Sequence, residues 1–357
     1  MQDLEEFIDE ASQGRLLRIE DDLGGGFVRL RISEAQRRQA RQDIRCVEDA
    51  VIELLRNARD AHARSIFLAT SKSGDMRSVV VLDDGDGVPE DMVERIFEPR
   101  VTSKLDTLCE DDWGVHGRGM ALYSIRENAV DAHVAASIAG QGSSFRVMFQ
   151  IGDIAERKDQ STLPALEGCA RDGWKLGPGP RNIARAAAEF ALSVRERCRV
   201  YFGSPVEIAA TLFAYGRRYA QSPLSSVERR CRIAPAKRLS FCTDASDFAA
   251  CAYELGLDVS QRSAYRIMQG EVAPLEPLLG VLLRRTEHGR AAKAASDVAR
   301  DFRGLKIAPE DLDDFSRVMK KAWTVIAESY YLDPDIDPIV KVSHDAVQVT
   351  FPASKQL

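Results

Sequence analysis

The chain predicts a mixed α/β domain over residues 1–152, followed by a mainly α-helical C-terminal half. Three observations carry this. Between Ile66 and Ile151, short β-type runs alternate with helix-type periodicity. Residues 153–180 are rich in charge and end in Gly177-Pro178-Gly179-Pro180, which reads as a linker with a turn. From Arg181 to Arg218 the chain is Ala-rich and helical in spacing. A length of 357 residues allows two or three domains, each able to bury a core.

The elements follow in order. Residues 1–40 open with an acidic, helix-like stretch, then a Gly24-Gly25-Gly26 turn and the alternating run Phe27 to Ile32, a strand. Ser33, with Gln36 three residues on, suits a capping box, so a long helix is expected from there to about Ala63. Ile66 to Thr70 and Ser78 to Leu82 read as strands, the second closed by the turn Asp83-Asp84-Gly85-Asp86-Gly87. Pro89 and Glu90 start a helix expected to end near Pro99. Residues 98–116 have little periodicity and read as a mobile loop. Gly117 to Asn128 reads as a helix, and His133 to Ile138 and Ser144 to Ile151 as strands. In the second half, residues 181–303 form a helical region with a candidate helix-turn-helix at 247–275. Residues 304–357 hold one more helix and a hairpin.

Composition narrows the function. Lys plus Arg is 49 and Asp plus Glu is 55, a net charge of −6. That excludes a general nucleic-acid coat or a polybasic membrane binder, though not one local basic patch. Apolar runs such as Val79 to Leu82 are too short to span a bilayer, and the acidic start MQDLEEFIDE lacks the layout of a secretory signal. Seven cysteines form no CxxC pair, so reduced thiols in the cytoplasm are expected and a zinc site is not. Neither a G-x-S-x-G elbow nor a GxxxxGK[ST] loop is present.

Three motifs carry chemistry. On a helical wheel Val47, Val51, Leu54, Leu55 and Ala58 share one face, and Glu53, Asn57 and Asp60 share the opposite one. A polar face is the ordinary outer side of an amphipathic helix. It also offers oxygen ligands for a hard cation such as Mg²⁺ and a carboxylate able to deprotonate water. Asp83 ends an apolar strand, where α/β sheets present ligand groups, and a carboxylate there can accept from an exocyclic amine. Gly85 and Gly87 let a flat ring approach the chain; a plain Asp-Gly turn is the alternative. Gly114-Val115-His116-Gly117-Arg118-Gly119 leads into a helix, which suits either phosphate binding or a flexible loop.

Together "ELLRNARDA" (53–61), "DDGDGVP" (83–89), "GVHGRGMA" (114–121) and "GSSF" (142–145) resemble the GHKL ATP-binding superfamily of gyrase B subunits, ninety-kilodalton heat-shock chaperones, histidine kinases and MutL proteins. The resemblance covers about residues 28–151 and implies a Bergerat-type α/β sandwich that binds ATP and Mg²⁺. It implies Asn57 as the Mg²⁺ ligand, Glu53 as the catalytic base, and Asp83 on the adenine amine, with Ser143 or Ser144 in support. Gly87 would pack under the ring, and Gly114, Gly117 and Gly119 would wrap the phosphates. "PRVTSK" (99–104) is similar to a MutL segment and brings in Thr102 and Lys104, the latter toward the γ-phosphate. Asp60, Gly85, Val115, His116 and Arg118 complete the expected binding set. One departure is Asp84, where the superfamily usually has Asn; with Asp86 it is expected to face solvent or a basic partner.

The function these features imply is an Mg-dependent ATPase whose nucleotide state switches the helical half, with residues 98–120 closing over the nucleotide. A serine protein kinase of the anti-sigma type and a non-hydrolysing regulator are the alternatives. Candidate partners are a second copy of the chain, another protein, or DNA. DNA would be met by Gln261, Arg262, Tyr265 and Arg266, with phosphate contacts from Arg229, Arg230, Arg232, Lys237 and Arg238.

Overall fold

The computed structural model describes residues 19–24, 26–30, 42–102, 109–111, 114–116, 119–169, 173–218, 232–286, 309–330, 332–342 and 347–352. The expected Ser33–Gln36 cap lies outside them. The chain divides into two compact units, Met1–Arg285 and Thr286–Leu357.

The first unit opens with a hairpin of β1 (Ile19–Gly24) and β2 (Phe27–Leu30). Helix α1 (Val47–Asp60) starts where the Asp49 carboxylate accepts from the backbone N–H groups of Arg45 and Cys46. His62, at φ 59°, turns the chain into β3 (Ser65–Ser73), which pairs antiparallel with β4 (Met76–Asp83). The expected helix over 90–97 is instead two 3-10 turns, Glu90–Met92 and Arg95–Phe97. Pro99 forces Glu98 into extended backbone, and Met92, Ile96 and Phe97 are drawn into the core.

The expected loop over 98–116 carries short strands. β5 (Val101–Thr102) pairs with β2, and β6 (Cys109–Asp111) pairs with β7 (Gly114–His116). Helix α2 (Ala121–Asn128) then leads to β8 (Asp131–Ile138) and β9 (Gly142–Gln150).

The expected linker contains a hairpin of β10 (Leu166–Cys169) and β11 (Gly173–Leu176). Its earlier part is bonded to the α/β core. Buried Glu48 accepts from the Arg157 N–H and the Gln160 side chain, and buried Arg77 pairs with Glu156. Helix α3 (Ile183–Ser193) is capped by Asn182, whose Oδ1 accepts the Arg185 N–H at 2.9 Å. The stretch expected to be helical as far as Arg218 is then broken by strand β12 (Arg199–Gly203). Helix α4 (Pro205–Arg217) follows with a Ser204–Glu207 capping box, then a 3-10 segment Pro235–Phe241 and helices α5 (Ala245–Glu254) and α6 (Gln261–Met268).

These strands meet in a five-stranded sheet ordered β12-β3-β4-β9-β8, with β12 parallel to β3 and the other pairs antiparallel. One face sends Ile66, Leu68, Val79, Val81, Val147 and Phe149 into a core with α1 and α3. The other sends Phe67, Val80 and Leu82 into a second core with Ile208, Leu212, Leu239, Phe248 and Leu255. Phe67 stacks on Tyr201 at 4.9 Å and meets Tyr215 edge-on at 5.4 Å. Burial on both faces explains why Val79 to Leu82 reads as an unbroken apolar run. One of the sheet's two edge strands, β12, and the cover of its second face both come from residues beyond 152.

In the second unit, helix α7 (Pro309–Tyr330) precedes a hairpin of β13 (Ile339–Val342) and β14 (Val347–Thr350). Trp323 stacks on Phe351 at 4.7 Å and donates its indole N–H to the Asp333 carbonyl. Among the described residues no helix is long and apolar enough to cross a membrane.

The two-sided sheet sets an expected outcome for truncation. A chain ended at residue 152 bares Phe67, Val80 and Leu82 and should lack a cooperative melting transition. A chain ended at residue 285 should keep one, and circular dichroism melts of the two fragments check this.

Candidate functional site

The site is assembled from the polar side of α1, the end of β4 and the start of β9. On α1 the apolar face is buried as the wheel predicts, and Ile52, Glu48 and Arg56 are buried beside it. Glu53 and Asp60 keep part of their surface, 22% and 17% of the side chain. Glu53 Oε1 accepts from the nearly buried Arg56 guanidinium at 2.5 Å, and Asp60 Oδ1 accepts from Arg59 Nε at 3.0 Å. Asn57 lies one turn beyond Glu53. Its side-chain nitrogen is buried without a hydrogen-bond partner among the described residues. An orphaned buried amide is costly unless a ligand engages it.

Asp83 is 1% exposed. Its Oδ1 accepts the Gly85 N–H at 2.8 Å and its Oδ2 accepts the Ser143 hydroxyl at 2.6 Å. Burial pushes the carboxyl up to about 6, and the charge of Asp84 adds to the rise; the bonds from Ser143 and Gly85 hold it back. Ser143 therefore faces Asp83. Ser144 points through the sheet and donates to the Leu255 carbonyl at 2.7 Å.

The glycines have steric reasons for being there. At φ +66° a Cβ on Gly87 would stand 2.2 Å from the Ile138 carbonyl oxygen, and at φ +101° one on Gly142 would stand 2.1 Å from the Asp83 carbonyl oxygen. A Cβ on Gly85 would meet the Ala61 carbonyl oxygen at 2.2 Å. The turn is thus pressed against the end of α1 and the β8–β9 connection.

Asp84 departs from its expected place. Its Oδ1 accepts the Arg64 and Ser65 N–H groups, each at 2.7 Å, and its Oδ2 accepts the Tyr215 hydroxyl at 2.9 Å. A carboxylate able to take several donors at once is worth more inside a turn than in solvent. Asp86 is exposed as expected and pairs with His62 at 2.7 Å.

The phosphate-side residues are placed less fully. Thr102 is buried in β5 opposite Val28. Gly114, Val115 and His116 form β7, and Gly119, at φ +64°, accepts the Arg100 N–H. Lys104, Gly117 and Arg118 lie outside the described residues. Among the described residues no cluster of three or more His, Cys, Asp or Glu side chains is arranged to hold a metal by itself. One amide oxygen at Asn57 fits a cation completed by water and phosphate, as Mg²⁺ usually is.

The state of Asp83 has a measurable consequence. Its folded value near 6 lies above the ordinary 3.8, so its contribution to stability is fully present below about 3.8 and is lost as pH rises through about 6. Asp83→Asn removes that loss. The variant is expected to be more stable than the parent at neutral pH by about 1–3 kcal/mol, the gain vanishing near pH 4. Urea unfolding across the range checks the sign.

Residues 42–153 match the family described as histidine kinase-, DNA gyrase B- and HSP90-like ATPase. The chain is 43% identical over 188 residues to the DNA mismatch repair protein MutL of Thermus aquaticus, covering 53% of this chain and 33% of that one. The MutL of Thermus thermophilus is 32% identical over 192 residues, with the same shares, and that of Aquifex aeolicus 27% over 186 residues, covering 51% and 43%. The chain spans about a third of the length of the Thermus relatives. The helix with its Glu and Asn, the buried strand-end Asp and the glycines that follow all fall inside the matched segment, so residues 42–153 are a GHKL ATP-binding domain.

Proposed function

We propose that this chain is an Mg²⁺-dependent ATPase in which nucleotide state controls the helical layer behind the sheet. The observation that carries the reading is Glu53 and Asn57 standing one turn apart on one helix inside the segment that matches the ATPase family. Asp83 takes the exocyclic amine of adenine, with Ser143 and the Gly85 N–H fixing its two oxygens. Asn57 would hold the cation through its amide oxygen. Bound Mg²⁺ supplies neutralisation of phosphate charge. Glu53, steadied by Arg56, orients a water and takes its proton. On the phosphate side this reading puts Thr102, Gly114, Val115, His116 and Gly119; Lys104, Gly117 and Arg118, which it also names, lie outside the described residues.

Turnover and binding should separate on α1. Glu53→Gln keeps a partner for Arg56, so it should hold nucleotide affinity within a few-fold while lowering phosphate release by about 10²- to 10⁴-fold. Asn57→Ala should instead lose the Mg²⁺-dependent part of binding. Labelled ATP gives both readings and also reports phosphoprotein: label on protein with no phosphate release would favour the serine-kinase alternative.

DNA is the second reading, and one observation favours it. Helix α6 buries Ala264 and Ile267 and leaves Gln261, Arg262, Tyr265 and Arg266 exposed, as a groove-reading helix would. The name of the MutL relatives, DNA mismatch repair protein, points the same way. Arg238 is withdrawn from the phosphate set, being buried with its Nε donating to the Ile233 carbonyl. Arg229 and Arg230 lie outside the described residues. Arg262→Ala should weaken DNA binding at low salt by about tenfold or more; unchanged affinity in fluorescence anisotropy would set DNA aside.

A further inference from the structure

We propose that Tyr215, on helix α4 behind the sheet, is a positioning residue for adenine recognition: its hydroxyl holds Asp84, and Asp84 holds the turn that presents Asp83. The proposal rests on the ATP-binding reading of Asp83.

Asp83 and Asp84 are consecutive, and their carboxylates are engaged on different sides of the turn. Asp83 is bonded to Ser143 and to the Gly85 N–H. Asp84 reaches back to the start of β3 through the Arg64 and Ser65 N–H groups and outward to Tyr215. Its own N–H donates to the Ser65 carbonyl. Three donors on one carboxylate fix the residue next to the recognition acid from two separate elements. The turn has little freedom otherwise, since Gly142 admits not even a Cβ against Asp83 and Asp84. The neighbouring strand repeats the pattern. Ser143 bonds Asp83 while Ser144 bonds the Leu255 carbonyl, and Arg146 donates to the Gly256 carbonyl and pairs with Asp258. Both strands that carry adenine-facing groups are therefore tied to the helical layer by the next residue along. The Tyr215 ring packs edge-on against Phe67, so removing only the hydroxyl leaves this packing in place.

The readout is discrimination between ATP and inosine triphosphate, which carries a carbonyl where adenine carries its amine. A misplaced Asp83 loses the amine contact and changes little for the inosine nucleotide; a general loss of folding weakens both. Calorimetry on the full chain near pH 8, where Asp83 is ionised, compares the two nucleotides. The parent should prefer ATP, and Asp83→Asn should abolish the preference. Tyr215→Phe should lower ATP affinity about three- to tenfold, with inosine triphosphate affinity within about twofold. In an Asp84→Ala background it should add less than about twofold, because its partner is gone. Asp84→Asn, whose amide still pairs with the Tyr215 hydroxyl, should keep most of the preference that Asp84→Ala loses, and this comparison decides the matter should Tyr215→Phe fail to fold. Equal weakening of both nucleotides, additivity with Asp84→Ala, or equal losses in the two Asp84 variants would overturn the role of Tyr215. A parent that binds neither nucleotide overturns the ATP-binding reading itself. A parent preference abolished by Asp83→Asn but untouched by Tyr215→Phe overturns the positioning role alone.

Discussion

A carboxylate buried at the end of a central strand needs donors, and the first unit is organised around supplying them to Asp83. Burial raises its proton affinity, and the Ser143 hydroxyl and Gly85 N–H recover only part of the lost hydration. A ligand that brings an N–H into this pocket makes good what remains, which is how a buried acid becomes selective for an amine-bearing ring. The surrounding glycines follow from the same demand. Gly142 lets β9 come close enough for Ser143 to reach the acid, and Gly85 lets the turn fold back so that its own N–H points at it.

The second constraint is the sheet's two-sidedness. Ile66 and Leu68 face one core while Phe67 and Ala69 face the other, so the strand that precedes the site cannot be stable with one helical layer alone. Helices α4, α5 and α6 therefore belong to the same folding unit as the nucleotide domain. Their bonds to it fall at the site rather than at random: Tyr215 on Asp84, and Leu255 and Gly256 accepting from Ser144 and Arg146. The turn at residues 83–87 is thus bonded directly to α4, and β9 to the α5–α6 connection.

Much of the site was legible in the sequence because its signals are local. Glu53, Asn57 and Asp60 fall within one helix, and Asp83 with the glycines after it within one strand end and turn, so each signal is contained in a short segment, and the structure has that helix and that strand. What was not legible depends on partners far away in the chain. Asp84 looks like a solvent-facing turn residue until Tyr215, 131 positions later, is packed beside it. Ser144 finds Leu255 across 111 positions. Strand β12 is five residues long between two Ala-rich helices, too short for its alternation to stand out, and it exists because β3 offers it an edge. The buried Glu48 similarly meets Arg157 and Gln160 only after the supposed linker folds back.

Three carboxylates in five residues would repel one another if they were placed alike. They are not, because depth sorts them. Asp83 lies deepest, and burial makes its charge costly. Asp84 has its charge taken up by two backbone N–H groups and a phenol. Asp86 is exposed, pairs with His62 and is screened by water. An Asn at position 84 would satisfy the Arg64 and Ser65 N–H groups equally well. What the carboxylate adds is a second charged acceptor for Tyr215 and a neighbour that makes Asp83 more demanding of its ligand, and both effects come from the helical layer's grip on this one side chain.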